Sequence, residues 1–521
     1  MRRPRLLPSL AIALVCGALY GSCFPPMHLA LLAWVVVVPT LVVIRRSTTP
    51  QAALLAAVFC ASGTVTTVDW LPGTVTVYFG QPPAVGLLLF VAITAVMVVP
   101  PYAVFGAVYR WIGARPAAWV PVAAAATWVV NEWVRAHVLT GNPWVLLGYS
   151  QVGVDHVVQI ADVTGVYGIT FVVLLVNATL AELWLAWHAP QGARRTVAGA
   201  TTVALTGVAA TLAYGHLRLL EVIPEHEEEH AHDLAIIQGN LDLGSQWRQE
   251  MYGTNLETYL RMTVQVLRDR RPALVVWPEN AMTFFLENEP LYQAAIGQVL
   301  APFGAQLVAG GPHTWDDENP QYHNSVFLLA QDGQVSARYD KERLLPFAEY
   351  FPFTQVDLLR RDFGRVREFT PGAPGPPLPT VAGAAGVLIC NEAMFPEVAA
   401  ARVRAGAEYL LNLTNDTWVP GRQFAGIAFD MSVLRAVEQR RWLVRASTAG
   451  PSAIVDPWGR VTTQTTVFAR ETAVGTIVPR TGDSPYGRMG DVFALACAAI
   501  AVVSLAAVSY PRRDDPAGRP G

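Results

Sequence analysis

Long apolar runs alternate with polar stretches along the chain, and the runs are concentrated towards its two ends. Eight of them predict membrane spans, at 6–24, 28–44, 52–68, 84–112, 116–138, 165–187, 196–216 and 491–510. Several approach the ~20 residues that a helix needs to cross a bilayer. The third is the weakest, because Ser62, Thr64, Thr66 and Thr67 dilute it. The first follows the basic start MRRPR, as a signal peptide would, but the further spans that follow at once favour a membrane span.

These runs divide the chain into four parts. We predict seven transmembrane helices over residues 1–216, a polar domain over 217–489, a closing transmembrane helix over 490–511 and a tail over 512–521. The polar domain is rich in charges and has no run long enough to span a bilayer. The expected fold is therefore an α-helical membrane bundle that carries one large domain outside the bilayer.

Arginine placement predicts the side of the membrane on which this domain lies. With eight spans, the arginines that flank the spans fall almost all on one face; they are Arg2, Arg3, Arg5, Arg45, Arg46, Arg110, Arg115, Arg194, Arg195, Arg512 and Arg513. Short loops rich in Arg and Lys are cytoplasmic. The sequence thus predicts a multi-pass protein of the cytoplasmic (inner) membrane, with both termini in the cytoplasm and the polar domain on the extracytoplasmic face.

Composition agrees with a membrane protein and gives no indication of a nucleic-acid partner. Hydrophobic residues make up 52% and charged residues 15% of the 521 residues, whereas soluble proteins carry about 25% charged residues. The net charge of −3 lacks the basic excess typical of nucleic-acid binding. Neither a P-loop nor a Rossmann glycine pattern occurs, so no cofactor is predicted. The run EHEEEHAH at 225–232 is interpreted as a solvated acidic segment, and no metal site is predicted.

Within the polar domain, short apolar runs typical of buried strands alternate with helical periodicity. The pattern predicts strands at 232–238, 273–277, 305–310, 323–330, 334–340, 387–390, 408–413, 452–455 and 460–465. Helices are predicted at 245–270, 291–300, 393–405 and 424–446. Such alternation is typical of an α/β domain with mixed sheets whose outer faces are covered by helices.

Three reactive side chains follow predicted strands in this domain: Glu279 in WPEN, Lys341 in YDKERLLPFAEYFP and Cys390 in VLICNEAMFP. Each alone is ordinary, since a strand end often carries an exposed charge and a lone cysteine is often an inert thiol. Cys390 is the only cysteine in 217–489, so it has no disulfide partner there. Because strand ends of α/β sheets meet in one crevice, we expect one site. There a carboxylate takes the thiol proton and an ammonium stabilises an oxyanion.

The connection between the fifth and sixth runs, at 131–153, is unusually polar for the membrane half. Glu132 and Arg135 lie three residues apart on a predicted helix and are therefore close enough to pair. Ionisable groups at membrane depth usually face a bundle interior or a wet cavity. The sequence leaves open whether they form a helix-rim ion pair or face a substrate. Tyr149 and the preceding Asn142-Pro143-Trp144 suit an interfacial loop that holds a lipid headgroup or guides an acyl chain.

The three motifs resemble those of the nitrilase superfamily in order and local context. With the flanking spans, the segments IQGNLDLGSQW, TGNPWVLLGYSQ, LNLTNDTW and RAVEQRRWLVRASTAGPSAIVDPWG extend this likeness over nearly the whole chain. The chain resembles the apolipoprotein N-acyltransferase family, a membrane-bound branch of that superfamily. This resemblance implies a nitrilase-like αββα sandwich with a Glu279, Lys341 and Cys390 triad.

The resemblance also implies a ping-pong transfer. Cys390 takes an acyl chain from a membrane phospholipid as a thioester, and the α-amine of a diacylglyceryl-modified apolipoprotein cysteine then receives it. Glu279 acts as general base and then acid, while Lys341 and the backbone N–H after Cys390 stabilise the oxyanion. Glu349 is expected to position Lys341 or the amine. The other implied substrate-binding or supporting residues are Glu392, Trp247 and Trp418, at positions lining the pocket or a mobile loop, together with Asn415 and Tyr149.

Two positions depart from the family pattern. Asn391 follows the nucleophile where relatives often have an aromatic residue, and Val419-Pro420 stands where a Phe-Gly pair is common. Both are expected to alter loop motion or acyl and headgroup preference, and neither removes the triad.

Two alternative functions remain open: a membrane-anchored nitrilase-type amidohydrolase that passes the acyl group to water, and a transport or scaffolding protein with a degenerate nitrilase-like domain. Seven spans are excessive for a mere tether, and the intact triad disfavours a scaffold.

Overall fold

A computed structural model describes residues 5–114, 117–188, 192–241, 249–314, 321–350, 368–419 and 421–509. The predictions for Trp247, Pro420 and the tail at 512–521 lie outside these residues. The described residues form an N-terminal helical part, an α/β domain and a C-terminal helix.

Helices dominate both ends of the chain. Those of the first part are α1 (Leu6–Gly21), α2 (Val38–Arg46), α3 (Thr49–Thr67), α4 (Trp70–Val77), α5 (Pro83–Ile93), α6 (Val99–Ile112), α7 (Val120–His137), α8 (Asp155–Val158), α9 (Ala161–Thr164), α10 (Val166–Trp187) and α11 (Gly192–Leu219). The α/β domain contains α12 (Glu225–Glu228), α13 (Gln249–Arg270), α14 (Pro290–Leu300), α15 (Pro396–Arg404), α16 (Arg422–Gln439) and α17 (Pro485–Met489), and α18 (Val492–Ser509) follows it. Short 3-10 helices span Ala30–Trp34, Leu147–Gln151, Leu286–Asn288, Ala301–Phe303 and Cys390–Met394, and a π-helical turn spans Thr94–Val98.

Five helical segments among the described residues are long and apolar enough to cross a bilayer: Thr49–Thr67, Pro83–Ile112, Val166–Trp187, Val197–Leu219 and Val492–Ser509. They coincide with five of the eight predicted runs. Helix α1 is apolar but has only 16 residues. The prediction of several apolar helices before the α/β domain is therefore confirmed, whereas the count of eight spans is not.

The second predicted span is wrong as a single helix. Its apolar run is divided into the 3-10 helix Ala30–Trp34 and the nine-residue helix α2. The Asn177 side chain of α10 supports this break, because its Oδ1 accepts from the backbone N–H of Val37 (3.1 Å) and its Nδ2 donates to the carbonyl of Ala33 (2.9 Å). Irregular backbone inside a membrane protein needs such partners, since lipid offers none.

Twelve strands of the described chain form two six-stranded sheets. They are β1 (His232–Gln238), β2 (Leu274–Val276), β3 (Gln306–Thr314), β4 (Tyr322–Leu329), β5 (Val335–Asp340), β6 (Leu378–Thr380), β7 (Gly383–Ile389), β8 (Tyr409–Thr414), β9 (Leu443–Ser447), β10 (Ala453–Val455), β11 (Val461–Gln464) and β12 (Glu471–Ile477). The strand orders are β12-β1-β2-β3-β4-β5 and β11-β10-β9-β8-β7-β6. In each sheet three central strands run parallel and antiparallel strands flank them.

Alternating side chains bury both faces of each sheet, which gives the predicted αββα sandwich. In β1, Leu234 and Ile236 pack in the core between the sheets, whereas Ala235 and Ile237 pack in the cluster shared with α13 and α14. Residues of the second sheet and of α15 and α16 join the core of the helical bundle on the opposite side. The α/β domain therefore lies with one helical layer against the bundle.

The domain contains three strands that were not predicted, β6, β9 and β12, and β9 stands where the end of a helix was expected. The helix expected over 424–446 ends at Gln439, and a separate strand, β9, begins at Leu443. Arg440 adopts the left-handed conformation (φ 51°) that ends many helices. No alternation of buried and exposed residues marks this boundary in the sequence, because α16 and β9 are both almost entirely buried.

Buried polar contacts join the domain to the bundle along α16. Arg435 and Glu438 form an ion pair of 2.9 Å with neither side chain exposed. Arg435 also donates to the hydroxyl of Tyr149 (3.1 Å), and Glu438 accepts from the backbone N–H of Val166 (3.2 Å). Since an unpaired buried charge is costly, these contacts fix how the two parts meet.

Candidate active site

The two sheets bring the three predicted reactive side chains together at strand ends. Glu279 follows β2, Lys341 follows β5 and Cys390 follows β7. Lys341 Nζ lies 4.0 Å from Glu279 Oε1. Gly310 permits the close approach of β3 at this point, because a Cβ there would lie 2.6 Å from the Cα of Glu279.

Glu279 is a buried carboxylate with three defined neighbours. Its Oε1 accepts from Asn324 Nδ2 (2.7 Å) and its Oε2 accepts from the backbone N–H of Asn415 (2.7 Å). Burial raises the pKa of Glu279 to about 7, although Lys341 and these two hydrogen bonds oppose the rise. A carboxylate with such a pKa exchanges a proton readily near neutral pH, as a general acid and base must.

Lys341 is held between two carboxylates. Its Nζ lies 2.8 Å from Glu349 Oε2 and 4.0 Å from Glu279 Oε1, and its side chain is 1% exposed. Burial opposes the charge of Lys341, but Glu349 above all, together with Glu279, more than offsets it and raises the pKa of Lys341. Asn324 Nδ2 also donates to Glu349 Oε1 (2.7 Å). The ammonium therefore stays charged beside the nucleophile.

Cys390 is protonated at rest and needs a base. Burial and the nearby Glu279 carboxylate raise the pKa of the Cys390 thiol, and Lys341 opposes this only in part. Its backbone is left-handed (φ 50°), a conformation that costs a non-glycine residue about 1–2 kcal/mol. Strain of this kind at a strand-to-turn junction is common where a side chain is presented for chemistry.

Glu392 fixes the turn that carries the nucleophile. Its Oε2 accepts from the backbone N–H of Ile389 (2.7 Å), and its Oε1 accepts from the Tyr339 hydroxyl (2.8 Å) and from the backbone N–H groups of Glu342 (2.8 Å) and Arg343 (3.0 Å). Glu392 is fully buried behind the turn, so the prediction that it lines the pocket or a mobile loop is wrong. It joins the Cys390 turn to the loop after Lys341.

An apolar cavity of about 290 Å³ lies between the bundle and the α/β domain, with Cys390 in its wall. The bundle contributes Val68, Trp70, Leu71, Val75, Leu89, Ile93, Met97 and Val98. The domain contributes Leu344, Leu345, Phe347, Met394, Phe395, Trp418 and Phe424. A cavity with these walls suits an extended apolar group and places it against the sulfur.

Comparison with known proteins assigns the chain to a family. Residues 16–179 match the family model described as apolipoprotein N-acyltransferase N-terminal domain, and residues 233–485 match the one described as carbon-nitrogen hydrolase. An apolipoprotein N-acyltransferase from Geobacter metallireducens is 33% identical over 505 residues, which cover 96% of this chain and 95% of that relative. This chain belongs to the apolipoprotein N-acyltransferase family. It is therefore an acyltransferase with a carbon-nitrogen hydrolase domain.

A second relative agrees with this assignment. An apolipoprotein N-acyltransferase from Methylococcus capsulatus is 29% identical over 520 residues, which cover 96% of this chain and 96% of that relative. Among solved structures, a carbon-nitrogen hydrolase from Helicobacter pylori G27 aligns with 48% of this chain and 89% of its own, at 19% identity and a TM-score of 0.37.

The remaining predicted residues of the acyltransferase take different places. Trp418 lines the cavity and packs edge-on against Phe424 (5.4 Å between ring centroids). Asn415 acts through its backbone N–H on Glu279, while its side chain accepts from Thr417 in its own loop and from Thr448 after β9. Tyr149 is buried against Arg435 and does not line the cavity. Of these three, only Trp418 is in a position to touch a ligand in the cavity.

Glu132 and Arg135 do not form the ion pair that their spacing predicts. Glu132 accepts from Trp128 Nε1 (3.0 Å), the backbone N–H of Leu147 (2.7 Å) and the Thr170 hydroxyl (2.8 Å). Arg135 donates to the carbonyl of Trp144 (2.8 Å) and lines the cavity. The first of the two predicted arrangements, a rim pair, is therefore wrong for these side chains.

Sequence reasoning missed two parts of the acyltransferase site. Asn324 bridges both carboxylates from inside β4, where an amide in an apolar strand gives little signal beyond its polarity. Helix α4 supplies a cavity wall from residues between the third and fourth predicted spans, for which no helix was predicted. The apolar residues Trp70, Leu71 and Val75, at helical spacing, are the signal that was available.

Proposed function

We propose that this acyltransferase N-acylates the N-terminal S-diacylglyceryl-cysteine of bacterial lipoproteins, with a membrane phospholipid as donor. The observation that carries this proposal is the position of Cys390, between buried acid-base groups and an apolar cavity shared with the membrane bundle. The names of the family relatives support the choice of acceptor. An acyl chain that leaves the bilayer can enter such a cavity without crossing water.

The first half-reaction loads the enzyme. Glu279 takes the proton of Cys390, and the sulfur attacks the carbonyl carbon of an acyl ester. Lys341 and the backbone N–H of Asn391 stabilise the oxyanion of the tetrahedral intermediate. The C–O bond then breaks, and Glu279 returns the proton to the leaving oxygen. Lysophospholipid departs, and the acyl chain remains as a thioester in the cavity.

The second half-reaction unloads the enzyme onto an amine. The α-amine of the lipoprotein cysteine attacks the thioester carbon, an N–C bond forms and the C–S bond breaks. Glu279 takes the amine proton and passes it to the sulfur, so the thiol is restored. Glu349 keeps Lys341 charged and in place throughout, and Glu392 holds the turn that carries Cys390. Trp418 packs against the acyl chain in the cavity wall.

A labelled phospholipid tests this function. The purified protein, incubated with a donor that carries a labelled acyl chain and without acceptor, should bear a hydroxylamine-sensitive label on the peptide containing Cys390. The Cys390→Ala variant should carry none, and equal label on both proteins would overturn the proposal. Addition of a diacylated lipopeptide should then move the label to its amine, whereas release to water alone would indicate an amidohydrolase.

We also propose the membrane arrangement that this function requires. Residues 1–216 form the bundle, 217–489 the catalytic domain on the extracytoplasmic face of the inner membrane, and 490–511 a last span that leads to a cytoplasmic tail. The arginine distribution supports eight spans with both termini in the cytoplasm. A cysteine introduced at the exposed Glu257, in a Cys390→Ala background, should react with a membrane-impermeant maleimide in intact spheroplasts. Protection until lysis would reverse the proposed orientation.

A further inference from the structure

Asn391 is a buried amide in the wall of the same cavity as Cys390. Its side chain is 3% exposed, and it lines the cavity next to Cys390. Its Nδ2 donates to the backbone carbonyl of Arg343 (3.2 Å). Rotation of the amide by half a turn would set Oδ1 against that carbonyl, so the bond fixes the orientation of the amide.

Asn391 Oδ1 has no hydrogen-bond partner within the part of the chain that the structure describes. A buried carbonyl without a donor is unfavourable, and such an atom in a functional cavity indicates a group that arrives with the ligand. The missing partner must be an N–H or O–H group. The reacting ester of a phospholipid has neither, whereas the acceptor amine of the second half-reaction has N–H groups on the attacking atom itself.

We propose that Asn391 Oδ1 binds the α-amine of the acceptor and orients it for attack on the thioester, an inference that rests on the proposed function. In this arrangement the amine directs its lone pair at the thioester carbon and one N–H at Glu279. A second N–H is donated to Asn391. The amide is neutral, so it holds the amine without favouring the protonated form, which has no lone pair and cannot attack.

The chemistry makes this contact specific to one half-reaction. As the N–C bond forms, positive charge develops on nitrogen and its N–H groups become stronger donors, so the bond to Asn391 tightens in the transition state. During loading, the leaving oxygen gains negative charge and accepts a proton from Glu279. A carbonyl acceptor such as Asn391 Oδ1 contributes nothing to that step. Loss of this atom should therefore slow unloading and spare loading.

Separate measurement of the two half-reactions tests the inference. Asn391→Leu keeps the size of the side chain and removes both polar atoms. It should form the Cys390 thioester from labelled phospholipid within about threefold of the wild-type rate, and transfer it to a diacylated lipopeptide at least about tenfold more slowly. Asn391→Ala, which introduces no bulk, should show the same asymmetry if the leucine variant loads poorly or does not fold.

The rate of transfer to an acceptor with one N–H fewer distinguishes a hydrogen bond to the amine from a merely structural role of Asn391. N-methylation of the lipopeptide α-amine leaves one N–H, which Glu279 requires. It should slow transfer more in the wild type than in Asn391→Leu, because the two changes remove the same hydrogen bond and their effects do not add. Equal slowing of both half-reactions in the variants, or additive effects of methylation and substitution, would overturn the inference. Absence of a thioester on the wild type would instead overturn the proposed function.

Discussion

At the scale of single residues, the site is a set of buried charges that offset one another. Glu279 and Glu349 share the ammonium of Lys341 and the amide of Asn324. Glu349 has the closer contact with Lys341, at 2.8 Å against 4.0 Å. In the proposed mechanism, Glu349 therefore neutralises Lys341, and Glu279 is left free to exchange a proton with Cys390. Two carboxylates of one type thus acquire different tasks from their distances to a single cation.

The raised pKa of Glu279 predicts the pH dependence of thioester formation. The base acts when it is ionised, so the loading rate should rise with pH and reach half of its plateau near the pKa of about 7, well above the usual 4.5. Asn324 donates to this carboxylate and favours its ionised form. The Asn324→Leu variant should therefore shift the rising limb to higher pH, measured as initial loading rates with labelled donor. A wild-type loading rate that reaches half of its plateau near pH 4.5 would contradict this assignment, as would a shift of the rising limb to lower pH in Asn324→Leu.

Removal of the carboxylate at Glu349 should weaken the oxyanion site. In Glu349→Gln, burial would no longer be offset by the contact at 2.8 Å, so the pKa of Lys341 should fall. We expect thioester formation to slow by about 10²- to 10³-fold, as for loss of an oxyanion donor. The matched control is Asp483→Asn, which removes an exposed ion pair with Arg488 and should leave the rate unchanged. Wild-type loading by Glu349→Gln would exclude the proposed role of this residue.

The sequence predicts some of these residues and not others, for physical reasons. Glu279, Lys341 and Cys390 stand after apolar strands, and the ends of such strands meet. Glu392 has the same local signal, yet its partners are backbone N–H groups of a loop about 50 residues away. No pattern in the sequence identifies such contacts, so its position behind the turn could not be foreseen.

At the scale of elements, predictions succeed where one physical preference dominates. The strands predicted at 323–330 and 334–340 correspond to β4 and β5, because the turn residues Asp332-Gly333 separate the two runs. Gly333 has the positive φ (82°) that this turn requires. The boundary between α16 and β9 failed because both elements are buried on all sides and lack periodicity. The break before α2 failed because its hydrogen-bond partner, Asn177, lies in another helix.

The segment formed by α5, the π-helical turn and α6 should set the length of acyl chain that the enzyme accepts. Ile93 and Met97 of this segment line the cavity. Ile93→Trp should fill part of it and lower transfer from octadecanoyl donors more than from tetradecanoyl donors, since each buried CH₂ contributes ~0.8 kcal/mol. Val91 lies on the outer side of the same helix and is 53% exposed, so Val91→Trp adds a large side chain outside the cavity. It should change transfer from neither donor. A competition assay with both donors measures the ratio. An unchanged ratio of the two donors in Ile93→Trp would mean that the acyl chain does not occupy the cavity beside Ile93.

At the scale of the whole molecule, the bundle and the α/β domain act as one body because they share both a cavity and a buried polar interface. Gln159 illustrates why the sequence could not predict this docking. Its side chain donates to the carbonyl of Trp458 (2.9 Å) and accepts from Arg440 (2.6 Å), almost 300 residues later in the chain. Local patterns predict the parts, while the contacts between them depend on the assembled fold.

The interface cluster around Asp162 should determine how stably the two parts are held together. Asp162 is fully buried in the bundle and accepts from Tyr214 (2.8 Å), Arg218 (2.8 Å) and Arg440 of the α/β domain (2.9 Å). Its replacement leaves the buried Arg440 without a carboxylate, whereas Arg218 keeps its ion pair with Glu221. Loss of one partner of a buried pair costs about 3–5 kcal/mol.

The Asp162→Ala variant should therefore unfold at a midpoint several degrees below that of the wild type in detergent, because about 1 kcal/mol shifts the midpoint of a domain of this size by roughly 2–4 °C. Asp483→Asn is again the control, since an exposed pair contributes about 0–1 kcal/mol and its loss should leave the midpoint within about 2 °C. If the interface also keeps the cavity closed around the acyl chain, the variant should lose thioester formation below its midpoint, while Cys390 still reacts with a small water-soluble thiol reagent. Equal midpoints for the two variants would mean that apolar contacts alone hold the domain on the bundle.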